Sequence, residues 1–441
     1  MTLSIFRNKN FARLFSAGAA SMAGFAIGQI AMIWEVDANT GSSTASALPI
    51  AYIGVSFEVA SVVFSLVAGA LVDRHERRRL MVLSDLVRAG ALATLAVILT
   101  VGGYSLFAIL LTAFVLGSFT TLFQPAERAL TPEVVGNEQL ADANALVQTS
   151  NSILQFASNS VGAGMIAAVG VIAAFGLNTF TFLMSAVLIA GMVGLSPKQR
   201  QRTADLGKHP SLVQDISEGF GYIVRNRALL ELTLSAGIGN FFLSMVFQFF
   251  VVYATVALGG GVLVFGIVNG FFALGWAPGA YISAKFQTVQ FAGKIWIFSG
   301  VLTGICILAL VAFPYFVPAA VFAFLMGILL GLANTTWLTA VQLIVPTEMQ
   351  GRYFGLDQLG SFAVIPVGQI LGGVIIAASG VGVDFLIAGV GTAAGAGVFY
   401  LSPYLRNLGW KKPGSSTEGT SSAGGGTLAP LEGGIRTHES R

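Results

Sequence analysis

Charge is scarce in this chain. Of 441 residues, 10% are Asp, Glu, Lys or Arg, against about 25% in an average soluble domain. So few charges cannot cover a water-exposed surface without large apolar patches. That excludes a soluble enzyme, a disordered chain and a nucleic-acid binder. Cysteine occurs once, at Cys306, which excludes an intramolecular disulfide and a cysteine metal site. The three histidines, His75, His209 and His438, are scattered, so spacing assembles no metal cluster. No G-x-x-x-x-G-K-[ST] string is present, so the chain has no ATP-binding loop of that kind. No cofactor and no metal are expected. Apolar residues dominate instead: 55% are hydrophobic, with 54 Gly and 34 Phe, and mean hydropathy is +0.80. The solvent for most of this chain is lipid.

A helix crossing a bilayer needs about 20 mostly apolar residues. Twelve such runs are found, at approximately 14–34, 48–72, 80–101, 104–125, 145–170, 172–195, 229–257, 261–284, 294–313, 317–344, 355–379 and 382–402. The runs 145–170 and 355–379 are the richest in Asn, Gln, Ser and Gly. The first run continues through Ile33 and Trp34, past any small-residue cleavage site, so it reads as a span and not a cleaved signal peptide.

An even number of spans places both termini on one side. The loops on that side hold Arg74, Arg77, Arg78, Arg79, Arg128, Lys198, Arg225, Lys285, Lys294 and Arg352, among others. The opposite loops, near 36–47, 102–104, 171, 258–261, 314–318 and 380–382, contain no Lys or Arg. By the positive-inside rule the termini are cytoplasmic, in a multi-pass protein of the plasma membrane. A wrong helix count would scatter the basic residues over both sides.

The chain divides in the middle. Residues 1–195 and 228–408 each hold six spans. Between them, 196–227 is polar, and Leu212, Ile216, Phe220 and Ile223 have the spacing of an amphipathic helix on the membrane surface. Residues 409–441 are rich in Gly, Ser and Thr and read as a disordered tail. The two halves echo each other. Glu133, Gly136 and Asp142 follow span 4 as E-x-x-G-x5-D, and Glu348, Gly351 and Asp357 follow span 10 in the same pattern. Leu116-Gly117 matches Leu330-Gly331, and Gly69-Ala70 matches Gly279-Ala280. The expected fold is an all-α membrane protein of twelve transmembrane helices in two pseudo-symmetric six-helix bundles, related by an axis along the membrane normal.

The loop after span 2 reads Gly69-Ala70-Leu71-Val72-Asp73-Arg74-His75-Glu76-Arg77-Arg78-Arg79. It resembles the G-x-x-x-D-R-x-x-R-R signature of the major facilitator superfamily. With Gln29 to Trp34 ending span 1, Asp85-Leu86-Val87-Arg88 in span 3 and Ala143-Asn144-Ala145-Leu146 opening span 5, the pattern is similar to the drug-exporting, macrolide-efflux-like branch of drug:proton antiporters. The resemblance covers about 1–408.

Some of the signature's physics stands without the family. Gly69 lets another helix approach closely. Asp73 ends a helix and can face the positive N-terminal end of a neighbour. The resemblance implies that this neighbour is span 11, beginning near Tyr353, and that Arg77 pairs with Glu127 at the end of span 4. Gly69, Asp73, Arg74, Arg77, Arg78, Glu127 and Asp357 are therefore the candidate cytoplasmic gate. The competing reading is that Arg74 to Arg79 only fix topology. Asp142 and Asp357 fall in the first turns of spans 5 and 11, where the helix dipole favours an acid; that role, with a salt bridge to a basic neighbour, is preferred over substrate contact. Asp85 and Arg88 are three apart and can meet on one helix face near the cytoplasmic boundary. Glu127 and Arg128 point in different directions, so each is expected to pair elsewhere.

Glu58 lies fifteen residues before Asp73, roughly 22 Å of helix away. That places it within the outer half of the bilayer, near the middle. A charge at such depth costs at least about 2.5–3.5 kcal/mol, unless a proton or a cation neutralises it. No Lys or Arg is expected at comparable depth in other spans. Glu58 is thus the candidate for exchanging a proton or attracting a cationic substrate; the alternative is a buried neutral Glu bonded to Gln29. Glu35, Asp37 and Asp384 sit at the outer edge, where solvation is preferred over a role in proton entry. Candidate cavity-lining residues are Gln29, Gln148, Asn151, Gln155, Asn240, Asn334 and Trp337, because polar side chains in lipid turn toward protein or a water-filled cavity. The phenylalanines crowding span 7, Phe241, Phe242, Phe247, Phe249 and Phe250, are read mostly as lipid-facing.

The expected activity is secondary transport: proton-coupled efflux of amphipathic small molecules, such as drugs or macrolide-like compounds, by alternating access. Related antiporters carry G-P-x-x-G-G in span 5, whereas the stretch here is Ser158-Asn159-Ser160-Val161-Gly162-Ala163-Gly164, without the Pro. That departure leaves a lysophospholipid or siderophore carrier of the same fold open. From another class, a non-transporting membrane receptor or assembly partner remains. The partners implied are a small-molecule substrate, the lipid bilayer and a proton, with no nucleic acid and no ATP.

Overall fold

The computed structural model describes residues 3–135, 139–193, 221, 223–285, 288–345, 353, 357 and 360–409. Most of the expected linker, the whole tail from 410, Gly136 and Gly351 lie outside them. Of Gly69, Asp73, Arg74, Asp142, Gln148, Asn151 and Gln155 only the backbone is described.

The described residues are almost entirely helical, because in lipid a spanning segment must satisfy its backbone groups internally. The first half holds α1 (Lys9–Asn39), α2 (Ala47–Arg74), α3 (Arg77–Val101), α4 (Leu106–Val135), α5 (Leu140–Val169) and α6 (Val171–Ala190). The second holds α7 (Arg227–Gln248), α8 (Val262–Lys285), α9 (Ala292–Ala312), α10 (Phe316–Ile344), α11 (Ile365–Ser379) and α12 (Val381–Gly397). Past Gln248, α7 continues as a short turn, Phe250–Val252, and a π-helical turn, Tyr253–Ala257. Eleven helices among the described residues are long and apolar enough to cross a membrane. The twelfth, α5, is 30 residues long and falls on one of the two runs richest in Asn, Gln, Ser and Gly. Side-chain caps fix several starts: Asn8 accepts from the backbone of Asn10 and Phe11 at α1, and Asn226 from Leu229 at α7.

The packing repeats between the halves. α1 packs on α5 and α6, and α7 on α11 and α12. α2 packs on α4, and α8 on α10. α3 packs on α4 and α6, and α9 on α10 and α12. The seams between the bundles obey the same operation: α2 meets α11, and α5 meets α8. Two glycines in the left-handed region mark equivalent corners. Gly170 (φ 85°) joins α5 to α6 and Gly380 (φ 89°) joins α11 to α12, each in a one-residue turn that a Cβ would strain.

Close packing in a bilayer relies on small residues. The α8–α10 seam uses four: a Cβ on Gly275 or Gly279 would strike the backbone of Phe324 or Ile328, and one on Gly327 or Gly331 would strike that of Phe272 or Trp276. Gly117 gives α4 the same approach to Phe57 and Ala60 on α2. The echo of Gly117 in Gly331 is therefore a structural one. Large apolar side chains cover the outside instead, Phe107, Val187, Phe298 and Leu401 among them, as lipid contact requires.

Two ends can be distinguished. Named for the expected segregation of Lys and Arg, the inner end is where α1 and α7 begin and α4 and α10 finish, and the outer end where α2 and α8 begin. The inner corner of the first bundle is tied by cations on the C-terminal carbonyls of α6. Arg78 donates to Ile189 and Ala190, and Arg13 to Gly191, where the helix dipole is negative.

Candidate functional site

A cavity of about 1790 Å³ lies between the bundles. It extends from Ile53, Gly54, Gln248 and Gln369 to the inner end, where Arg128, Thr131 and Pro132 of α4 and Gln342 of α10 border it. Beyond its outer limit the halves are joined. Gln248 on α7 donates to the carbonyl of Ile50 on α2 at 2.6 Å, and the Gln369 amide reaches Gln248 Oε1 at 3.5 Å. Gly54 and Gly373 allow this approach, since a Cβ on Gly54 would crowd both glutamines and one on Gly373 would meet Ala47 and Ala51.

The two walls differ in chemistry. Among the described residues every charged side chain lining the cavity, Glu58, Arg88, Glu127 and Arg128, belongs to the first bundle. The second bundle contributes amides and hydroxyls, including Asn240, Asn269, Asn334 and Ser235, and rings, including Phe247, Phe272, Trp276, Tyr281 and Trp296.

Glu58 borders the cavity and is partly buried. It makes no hydrogen bond or ion pair with the described residues, so the alternative of a bond to Gln29 is not what this structure contains. Gln29, Asn240 and Asn334 line the cavity as well. Asn240 also donates to the carbonyl of Ser361, linking α7 to α11. Trp337 does not border the cavity. It packs beside Trp296, ring centroids 6.5 Å apart, and Trp296 takes the lining position. The aromatic cluster of α7 is not lipid-facing either. Phe249 and Phe250 are fully buried and Phe247 lines the cavity, because Phe250 packs on Tyr253 and Phe385, Phe249 on Gly372, and Phe247 on Phe272, all within the second bundle.

Asp85 and Arg88 meet as the spacing implies, Nη2 to Oδ1 at 2.5 Å, but not at the boundary. Arg88 stands about 16 Å along α3 from Arg77. Both residues are buried, with the guanidinium between the rings of Phe123 and Phe182. An arginine therefore does reach membrane depth. Sequence spacing placed the pair on one face without showing that the face is interior.

The candidate gate residues pair differently from the expectation. Arg77 pairs with Glu133 at 2.5 Å and donates to Ala129 O at 2.8 Å; its partner on α4 is not Glu127. Glu127, about one and two-thirds turns earlier on α4, turns to the cavity beside Gly18 of α1. Arg79 pairs with Glu76. Asp357 is buried, and its Oδ1 accepts from Thr233 at 2.7 Å and Ser361 at 3.3 Å. It thus ties α11's approach to α7 through hydroxyls and forms no salt bridge with the described residues.

The outer acids are not solvated alike. Glu35 accepts from Asn39 near the surface. Asp37 is buried and accepts from Ser46 at 2.7 Å. Asp384 is buried too. Distance from a span's end does not show which way a carboxylate turns.

A family model described as Major Facilitator Superfamily matches residues 11–363. An uncharacterized MFS-type transporter, YkuC, of Bacillus subtilis (strain 168) is 28% identical over 275 residues, covering 62% of this chain and 57% of that protein. Macrolide efflux protein A of Streptococcus pyogenes is 24% identical over 384 residues, covering 86% of this chain and 92% of that protein. Among solved structures, the D-xylose–proton symporter superposes with a TM-score of 0.69 at 12% identity, over 91% of this chain and 99% of that one; at this identity the likeness is one of fold.

Proposed function

The chain belongs to the Major Facilitator Superfamily and is a transporter of that family; we propose that it exports amphipathic small molecules in exchange for protons, with Glu58 as the coupling group. The observation that carries this reading is Glu58 itself: a carboxylate on the cavity wall at mid-membrane depth, with no partner among the described residues. A group so placed binds a proton or a cation and gives it up as the cavity changes sides. The wall opposite offers rings and amides that suit a bulky, mostly apolar molecule. The similarity to macrolide efflux protein A supports export as the direction.

In this reading the termini are cytoplasmic and the protein resides in the plasma membrane, on the strength of the Lys and Arg segregation. The cavity then opens toward the cytoplasm, the outer ends are closed, and α2–α11 and α5–α8 are the surfaces on which the bundles rock. Reconstituted vesicles test it. A macrolide added to vesicles with an imposed pH gradient should move against a counter-flow of protons, and Glu58→Gln should abolish the proton movement. Absence of macrolide-dependent proton flux in the unaltered protein sinks the coupling. Full proton-driven export by Glu58→Gln removes Glu58 from it.

A further inference from the structure

One buried acid outside the cavity lacks any hydrogen-bond partner among the described residues. Asp384 stands in the first turn of α12, directly after the Gly380 corner. It is 0% exposed, and neither carboxylate oxygen has a hydrogen-bond partner among the described residues. Its Oδ1 lies against Gly372 of α11, where an added Cβ would come within 3.1 Å of it and 2.8 Å of the Phe249 ring. On its other side Phe385 stacks on Tyr253 of α7, centroids 5.1 Å apart.

The helices packed on α12 are α7, α9 and α11, and they offer no cation nearby. α7 carries Tyr253, whose hydroxyl is committed to Leu310 O at 2.8 Å, and Arg227 and Glu231 at its inner end. α9 carries Cys306, with Lys294 at its inner end. The described part of α11 has no titratable group. The N-terminal end of α12 favours a negative charge, but by less than an ionised carboxylate costs when buried without donors or a counter-charge, so the neutral acid is the form sustained here.

The cover over Asp384 is also a seam. Gly372 touches Asp384, and the next residue, Gly373, touches Ala47 and Ala51 of α2 in the other bundle. When α2 leaves α11, the segment that closes Asp384 loses its support. We propose that Asp384 holds a proton in this conformation and is a second proton site of the cycle, exchanging with the outer side only after the α2–α11 contact opens. The step is simple proton binding, carboxylate plus a proton from the outer medium giving the carboxylic acid. Its place in the cycle rests on the proton-coupled reading above; its protonation does not.

The test is infrared spectroscopy of the full chain in lipid nanodiscs at neutral pH, with and without aspartate labelled with carbon-13 at the side-chain carboxyl. A neutral carboxylic-acid C=O band that shifts on labelling is expected in the unaltered protein. It should be lost in Asp384→Asn and kept in Glu58→Gln. An unaltered protein without a labelled acid band overturns the proposal irrespective of any variant's folding, as does an undiminished band in Asp384→Asn. In vesicles, the ratio of protons to macrolide should fall at least about twofold in Asp384→Asn, and an unchanged ratio overturns the coupling role. If the unaltered protein shows the band but no macrolide-dependent proton flux, the coupled reading fails and the protonated Asp384 stands.

Discussion

Gln248 holds Ile50 across the divide between the two bundles: the α7 side-chain amide donates at 2.6 Å to a backbone carbonyl of α2. The residue is partly buried and borders the cavity, so its bond is a latch on the outer side that comes from one side chain. Gln369 adds a longer contact behind it.

Removing that latch should shift the conformational balance. A net hydrogen bond is worth about 0.5–1.5 kcal/mol, so Gln248→Ala should raise the outward-open population by roughly 2- to 12-fold. Thiol labelling at Ile53→Cys from the outer side, in a Cys306→Ser background, reads this directly. Labelling rates equal to those with Gln248 intact would show that the latch does not bias the equilibrium.

Asp85 and Arg88 should be unequal to their separate parts. Breaking a buried ion pair from one side leaves an uncompensated charge and costs about 3–5 kcal/mol. Arg88→Met and Asp85→Asn should each lower the thermal unfolding temperature of the detergent-solubilised protein strongly. The double variant should recover much of the loss, and strictly additive losses would contradict a direct pair.

The α4 partner of Arg77 separates two carboxylates. Glu133→Gln should loosen the α2–α3 corner by no more than about 1 kcal/mol, since both members of the pair are partly exposed. Glu127→Gln should leave that corner untouched and change transport instead, because its side chain belongs to the cavity. Proteolysis at the corner and transport in vesicles are the two measurements.

The α8–α10 seam should tolerate nothing larger than its glycines. Gly327→Val or Gly331→Val drives a branched side chain into backbone, an overpacking worth about 1–3 kcal/mol or more. Folded yield in membranes should drop sharply for either. The same change at Gly90 of α3, where an added Cβ meets nothing, should be mild.

Much of the fold is legible in the sequence because lipid allows so few solutions. A spanning segment must be long and apolar, and Lys and Arg segregate, so the helices and their alternation follow. The repeat was legible through Gly117 and Gly331, which serve the same close approach in each half. That Glu58 and several amides border the cavity was legible, since a polar group in a span turns inward. What escaped is rotational. Glu127 and Glu133 share one helix, and only the packing of α3 against α4 decides which of them meets Arg77. Asp384 sits near a helix start, yet α11 folds over it. Nothing in the spacing of Gly372 and Gly373 signals that an acid is what they pack against.

The uneven walls of the cavity have an electrical consequence. Among the described residues its charges ride on the first bundle, while the second presents dipoles and rings. A voltage across the bilayer exerts about 2.3 kcal/mol per elementary charge per 100 mV. The wall of α1 to α6 carries two carboxylates and two cations, so its net charge is near zero until Glu58 or Glu127 gains or loses a proton. Protonation is then what couples this wall to the voltage, and the described facing surface of α7 to α12, with no charge of its own, does not share in it.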